Sequence, residues 1–167
     1  DWKAATAKYY QQAMSITTRS GVLPNRYNYL DLDTSYKNAF GQPLMRLTFD
    51  FKDNEHKMGM HGADIVNQMI SAMNPNKSSK ASGAKRNWGF TPYQSTHNTG
   101  GTIMGTTPGN SAVNKYQQSW DCHNLFLVGA NVFPHNSAYQ PTGLVGAMAY
   151  WTADAIKNKY LKNPGLL

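Results

Sequence analysis

Residues 125–159 read LFLVGANVFPHNSAYQPTGLVGAMAYWTADAIKNK: an apolar run, a bent polar loop and a second apolar segment. Leu125, Phe126, Leu127 and Val128, closed by Gly129, form a short continuous apolar run. That is the pattern of a strand buried on both faces in a parallel or mixed sheet. Pro141-Thr142-Gly143 then opens a helix to about Lys159, with Leu144, Val145, Met148, Trp151, Thr152 and Ala155 along one side. Between them, Ala130 to Gln140 bends across the sheet edge through Pro134. In open α/β sheets, ligands sit in loops at the carboxyl ends of such strands.

Upstream the pattern changes. Met45, Leu47, Phe49 and Phe51 alternate with Arg46, Thr48 and Asp50, the period of a half-buried strand. The turn Gly41-Gln42-Pro43 precedes it, and Arg26 to Leu32 can pair with it as an earlier strand, so an antiparallel sheet is expected. After a capping position at Asp53-Asn54, the residues Met58, Ile65, Val66, Met69 and Met73 recur at three- and four-residue steps. This predicts a helix of about five turns whose methionines pack in a core, with Gly59 and Gly62 weakening its first half. Trp2, Ala5, Tyr9 and Ala13 suggest a helix or irregular lead-in. Residues 74–88, with Lys77, Lys80, Lys85 and Arg86 among Ser, Gly and Asn, have loop composition and serve as a solvated surface or an anion-facing patch.

Composition narrows the function classes. The 167 residues carry a net charge of +7, but only 15% are charged, and the mean hydropathy is −0.58. A chain of this kind buries a core; a disordered polyelectrolyte is excluded, as is a membrane-spanning helix, because no run of eighteen apolar residues occurs. The pI of about 9.5 raises nucleic-acid binding, but the basic loop lacks the interleaved aromatics that stack bases, and no nucleic acid is expected. The single cysteine, Cys122, forms no internal disulfide and is expected to be a packed thiol. His56 and His61 are five apart, so they do not share a helix face, and no metal site is expected.

Three histidines fall in the C-terminal part. His97, in Ser95-Thr96-His97-Asn98-Thr99-Gly100-Gly101, is flanked by small residues that let backbone and ligand approach its imidazole, as a general base requires. An isolated histidine also serves structure, and that alternative stands beside the catalytic one. His135, in the bent loop, is a candidate to touch cofactor or substrate, whereas His123 is expected to be structural. A helix starting at Pro141 leaves the amides of Thr142, Gly143 and Leu144 free at the positive end of its dipole, where a developing anion is stabilised. Gln140 beside them can orient a hydroxyl but cannot take its proton at neutral pH.

Two segments carry a family resemblance: THNTGGTIMG, residues 96–105, and NKYQQSWDCHNLFLVGANVFPHNSAYQPTGLVGAMAYWTADAI, residues 114–156. They resemble the C-terminal region of glucose-methanol-choline (GMC) flavoprotein oxidoreductases, and within these the flavoprotein subunit of bacterial dehydrogenases of the gluconate 2-dehydrogenase type. PNRYNYLDLDTSYKNAFGQPLMRLTFDF, residues 24–51, is similar to the substrate domain of that family. The resemblance implies a mixed fold, α+β with α/β character. Residues 1–95 would belong to an antiparallel substrate-binding (cap) domain with helices. Residues 96–167 would form the active-site loop and the C-terminal strand and helix of an FAD-binding domain.

By the same resemblance His97 falls on the catalytic histidine, and Gln140, 43 residues later, on the second active-site position, usually Asn or His. Gly129, Ala130 and Asn131 match the turn that approaches the ribityl and pyrophosphate groups of FAD. Thr142 and Gly143 match the helix start facing the pyrimidine edge of the flavin. The implied reaction is oxidation of a sugar, polyol or alcohol, with His97 accepting the hydroxyl proton while hydride leaves for flavin N5. Also implied are a cytochrome subunit, a small escort subunit, a periplasmic location and membrane association only through a partner. The Gly-x-Gly-x-x-Gly fingerprint that cradles the FAD pyrophosphate is absent from these residues, so the chain is expected to be the C-terminal portion of a longer enzyme, joined to an N-terminal FAD-binding half. A degenerate, non-catalytic binding or scaffold domain of the same fold is the alternative.

Overall fold

The computed structural model describes residues 1–83, 87–89, 97–136 and 140–167. In chain order it contains α1 (Trp2–Tyr9), β1 (Tyr29–Lys37), β2 (Pro43–Thr48), α2 (Asp53–Met73), a 3-10 turn (Ala130–Val132), α3 (Thr142–Ala155) and a π-helical turn (Ile156–Tyr160). No helix among the described residues is long and apolar enough to cross a membrane.

The expected hairpin forms, slightly displaced. β1 and β2 pair antiparallel with Leu30 opposite Leu47, Asp31 opposite Arg46 and Leu32 opposite Met45, and the register slips between Leu32 and Lys37. Gly41 turns at φ +79°, and Asn38 Oδ1 closes the loop by accepting from the Phe40 and Gln42 amides at 2.9 and 3.0 Å. Across the pair, Arg46 Nε donates to Asp31 Oδ1 at 2.8 Å, and this bond with the Arg46 charge holds the Asp31 carboxyl below its usual range. The alternation does not mark a buried face here: Met45 is 71% and Leu47 49% exposed, and the strand ends at Thr48. Phe49 and Phe51 leave the strand for an aromatic cluster, in which Phe49 meets Trp88 edge-on at 5.2 Å and Phe51 at 5.8 Å.

Helix α2 begins at Asp53, so its cap lies one residue before the expected position. Lys52 is its N-cap, and Glu55 reaches back to accept the Lys52 amide at 3.0 Å. The other Glu55 oxygen accepts the Leu23 amide at 3.1 Å, which pins the incoming segment to the start of the helix. Burial pushes the Glu55 carboxyl up, but the Leu23 and Lys52 amides and the Asn54 amide outweigh it and bring the group below its ordinary value. Only Ala63 and Val66 are buried, whereas Ile65, Met69 and Met73 are exposed, so the methionine stripe does not form a core among the described residues. Gly59 allows a close approach: a Cβ on Gly83 would lie 2.5 Å from the Gly59 carbonyl. Asn67 holds that neighbouring segment through both backbone groups of Ala81, at 2.9 and 3.0 Å. Lys77 and Lys80 are exposed there; Lys85 and Arg86 lie outside the described residues.

The core lies in the C-terminal part. Val113, Val132 and Phe133 are buried, with Met104, Leu127, Val145 and Met148 packed against them. The expected two-face strand at 125–129 does not form. Its backbone pairs along one edge, Leu127 N to Gln117 O and Ser119 N to Leu125 O, both at 2.9 Å, while Leu125 and Val128 remain 44% and 48% exposed. A strand buried on both faces needs neighbours and cover on each side, and the described residues supply one edge. α3 matches the expected helix and is continued by the π-helical turn to Tyr160. It seats on 114–118 through Thr152 Oγ1 to Tyr116 O at 3.2 Å and a Trp151–Tyr116 stack at 5.9 Å. Leu144 and Trp151, expected on the packed side, are exposed. Lys159 donates to the Tyr116 hydroxyl at 2.5 Å and lowers its pKa.

Buried amides close this unit. Gln118 is fully buried; its Nε2 donates to His123 O at 2.6 Å and Gly165 O at 2.7 Å, and its Oε1 accepts from Leu167 N at 2.8 Å and Asn114 Nδ2 at 3.3 Å. Replacing Gln118 with Leu strands buried carbonyls and an amide, and should lower stability by about 2–4 kcal/mol in denaturant titration. Glu55→Gln should lower stability above the ordinary glutamate pKa of 4.5. Because the folded pKa is depressed, that gap should close as pH falls through the folded value, which a pH series of melting curves on both proteins measures.

Candidate functional site

His97 stands at the start of a segment laid along the 130–136 loop. The amides of Gly100, Thr102 and Met104 donate to the carbonyls of Ala130, Asn131 and Val132 at 3.0, 3.0 and 2.8 Å. At the His97 end, Asn136 Nδ2 donates to the His97 carbonyl at 3.2 Å. The imidazole is half-buried. Asn131 ties the same two segments by side chains, its Nδ2 donating to Thr102 Oγ1 at 2.6 Å. Gly129 enters this turn at φ +141° and ψ −173°, a conformation open essentially to glycine, and a Cβ there would stand 2.7 Å from Asn131 Oδ1. Leu30 of β1 closes over the far side, where a Cβ on Gly101 would come within 2.9 Å of it. The segment that starts at His97 is therefore laid along the turn formed by Gly129, Ala130 and Asn131, with His97 itself bonded to Asn136.

Gln140 is exposed and directly precedes Pro141, the N-cap of α3. Residues 137–139 lie outside the described residues, but four residue steps separate Gln140 from Asn136, so covalent reach keeps their Cα atoms within about 14 Å. The N-cap of α3, Pro141, makes no side-chain cap bond, and the first backbone bond of the helix runs from Val145 N to Pro141 O at 3.0 Å. The amides of Thr142, Gly143 and Leu144 thus precede the helix's own bonding, and open space surrounds Gly143. This start suits an anionic or electron-rich ligand edge. The glycine turn that a Cβ would fill and the helix start with open space at Gly143 are each of a kind that fits a bulky, partly anionic cofactor such as FAD.

His135 lines a solvent-open groove of about 450 Å³ with Arg19, Ser20, Gly21, Leu23, Asn54 and Met58. His123 contributes its backbone carbonyl to the Gln118 clamp. Cys122 is exposed rather than packed, because its amide is drawn to Ser119 Oγ at 3.2 Å on the outside of the turn. Among the described residues, no cluster of three or more His, Cys, Asp or Glu side chains is arranged to hold a metal. Sequence reasoning passed over Gln117, Gln118 and Arg19. Gln117 is fully buried at φ +61°, with Nε2 donating to Met148 O at 3.2 Å and Oε1 without a partner among the described residues. Adjacent glutamines in a polar stretch give no sign of burial, and a lone arginine in an irregular segment gives no sign of a groove.

The chain belongs to the GMC oxidoreductase family, whose C-terminal domain matches residues 24–149. It is 47% identical over 167 residues to the gluconate 2-dehydrogenase flavoprotein of Pantoea cypripedii, covering 99% of this chain and 27% of that protein. It is 34% identical over 139 residues to the fructose dehydrogenase large subunit of Gluconobacter japonicus, covering 82% of this chain and 24% of that protein. To 2-methyl-1,2-propanediol dehydrogenase of Mycolicibacterium austroafricanum it is 27% identical over 138 residues, covering 83% and 24%. The chain thus spans about a quarter of the length of these relatives, all named as dehydrogenases.

Gly129→Ala forces a left-side φ on a residue with a Cβ and pushes Asn131 from Thr102. It should cost about 1–3 kcal/mol, read as a lowered denaturation midpoint, and Asn131→Ala in the same background should add little.

Proposed function

We propose that this chain is the C-terminal portion of an FAD-dependent dehydrogenase that oxidises a CH–OH group of a sugar, polyol or alcohol. Residues 1–95 contribute to the substrate-binding domain, and residues 96–167 supply the active-site loop and the closing part of the FAD-binding domain. The observation that supports this reading is the bonding of the His97 segment to the 130–136 loop, with His97 itself half-buried. The family membership and the flavoprotein among the relatives support it.

In this reading His97 accepts the proton of the substrate hydroxyl, and the Asn136 bond to its carbonyl holds the backbone that carries the imidazole. Gln140 holds the substrate oxygen through its carboxamide, orienting the carbinol hydrogen without competing for the proton. Gly129, Ala130 and Asn131 line the turn that receives the cofactor's chain, and the Thr142 and Gly143 amides face its electron-rich edge. FAD, when bound, supplies the acceptor for the hydride leaving the carbinol carbon. The apolar side chains left uncovered on the hairpin and α3, such as Leu32, Met45 and Leu144, pack against the N-terminal FAD-binding half. Cytochrome and escort subunits and a periplasmic location belong to the same proposal.

His97→Ala in the FAD-loaded enzyme should lower kcat by about 10²–10⁴-fold with FAD content retained. Turnover equal to that of the parent enzyme removes His97 from the reaction.

A further inference from the structure

We propose that Asn136 is a positioning residue for the oxidation: by holding the His97 carbonyl, its carboxamide sets where the imidazole meets the substrate. The inference rests on the reading of His97 as the base and adds the residue that aims it. The backbone pairing that lays the segment along the loop begins only at Gly100, whose amide donates to the Ala130 carbonyl at 3.0 Å. His97 stands three residues ahead of that rung, and among the described residues neither Asn98 nor Thr99 makes a backbone bond to the loop. Gly100 and Gly101, at φ +87° and +113°, form the junction, and a pair without Cβ atoms leaves the preceding chain many directions. The rungs alone therefore do not fix the path through His97.

The loop turns back to supply what they lack. After the 3-10 turn, Phe133 is extended at φ −73° and ψ 121°, and its carbonyl passes Gly100, where a Cβ would lie 3.5 Å from it. Pro134 follows with no amide hydrogen to offer. Two residues further, the half-buried Asn136 reaches His97 with a side chain, its Nδ2 donating to the carbonyl at 3.2 Å. One loop thus grips the 97–100 stretch at both ends, by backbone at Gly100 and by carboxamide at His97.

The chemistry of the bond selects the residue. A carbonyl acceptor needs a donor, which the Asn136 amide supplies, whereas an aspartate of the same size carries only acceptors at neutral pH. Proton abstraction needs the base in near-attack geometry, and a displacement of about 1 Å costs on the order of 10²-fold in rate. A residue that acts on the place of His97 rather than on the substrate is therefore read in kcat and not in KM.

The test measures kcat, KM and FAD content of the FAD-loaded enzyme on the best substrate from a panel of aldoses, ketoses, aldonates and alditols. Asn136→Ala and Asn136→Asp should each lower kcat by about 10- to 100-fold, with KM within about threefold of the parent and FAD content retained. Asn136→Gln, which keeps the donor, should recover part of the loss. In the His97→Ala background Asn136→Ala should lower kcat no further, because no imidazole is left to aim. Parent-like kcat in Asn136→Asp overturns the assignment, as does a loss that Asn136→Gln shares in full, that persists in the His97→Ala background, or that follows lost FAD. Parent-like turnover of His97→Ala overturns the reading of the base on which the assignment rests, and a parent enzyme that oxidises none of the panel overturns the dehydrogenase reading itself.

Discussion

Three backbone hydrogen bonds, from Gly100, Thr102 and Met104 to Ala130, Asn131 and Val132, hold two distant segments in one layer. They run over the buried cluster of Val113, Val132 and Phe133, so the same residues that close the core also place His97. Because the pairing is between backbones, it tolerates varied side chains but not a varied path. The path requires the Gly129 conformation at its entrance and the Asn131–Thr102 bond along its length. The placement of the His97 segment hangs from that layer.

The unit is held as much by amides as by hydrocarbon. Gln117, Gln118 and Asn114 are all buried, and between them they bond the 123–127 turn, α3 and residues 165–167. Such groups contribute direction: the Gln118 carboxamide, bonded at both its nitrogen and its oxygen, permits one arrangement of the segments around it. This explains how a small apolar cluster coexists with a well-determined loop structure.

The two long helices were legible because each announces itself locally. The three- and four-residue spacing from Met58 to Met73, and Pro141 ahead of an apolar run, correspond to α2 and α3. The hairpin was legible from the Gly41-Gln42-Pro43 turn. What failed was the inference from apolar pattern to burial. Met45, Leu47, Met69, Leu125 and Val128 are apolar at regular spacing, yet exposed. Periodicity records which faces are selected to be covered, whereas this chain spans about a quarter of the length of its relatives. At the site, His97 and the Gly129 turn could be picked out from small, polar surroundings. The groove lined by Arg19 could not, since it arises only where the 19–23 segment, α2 and His135 meet in space.

The stack of Trp151 on Tyr116, with rings only 13° from parallel and the indole nitrogen donating to Lys115 O at 3.1 Å, is the seam between α3 and the core. An indole in that setting is an optical gauge. Lifting the helix would separate it from the phenol and from a carbonyl dipole, altering both the colour and the yield of its emission. The protein thus carries its own fluorescent reporter of whether the helix that fronts the site is seated.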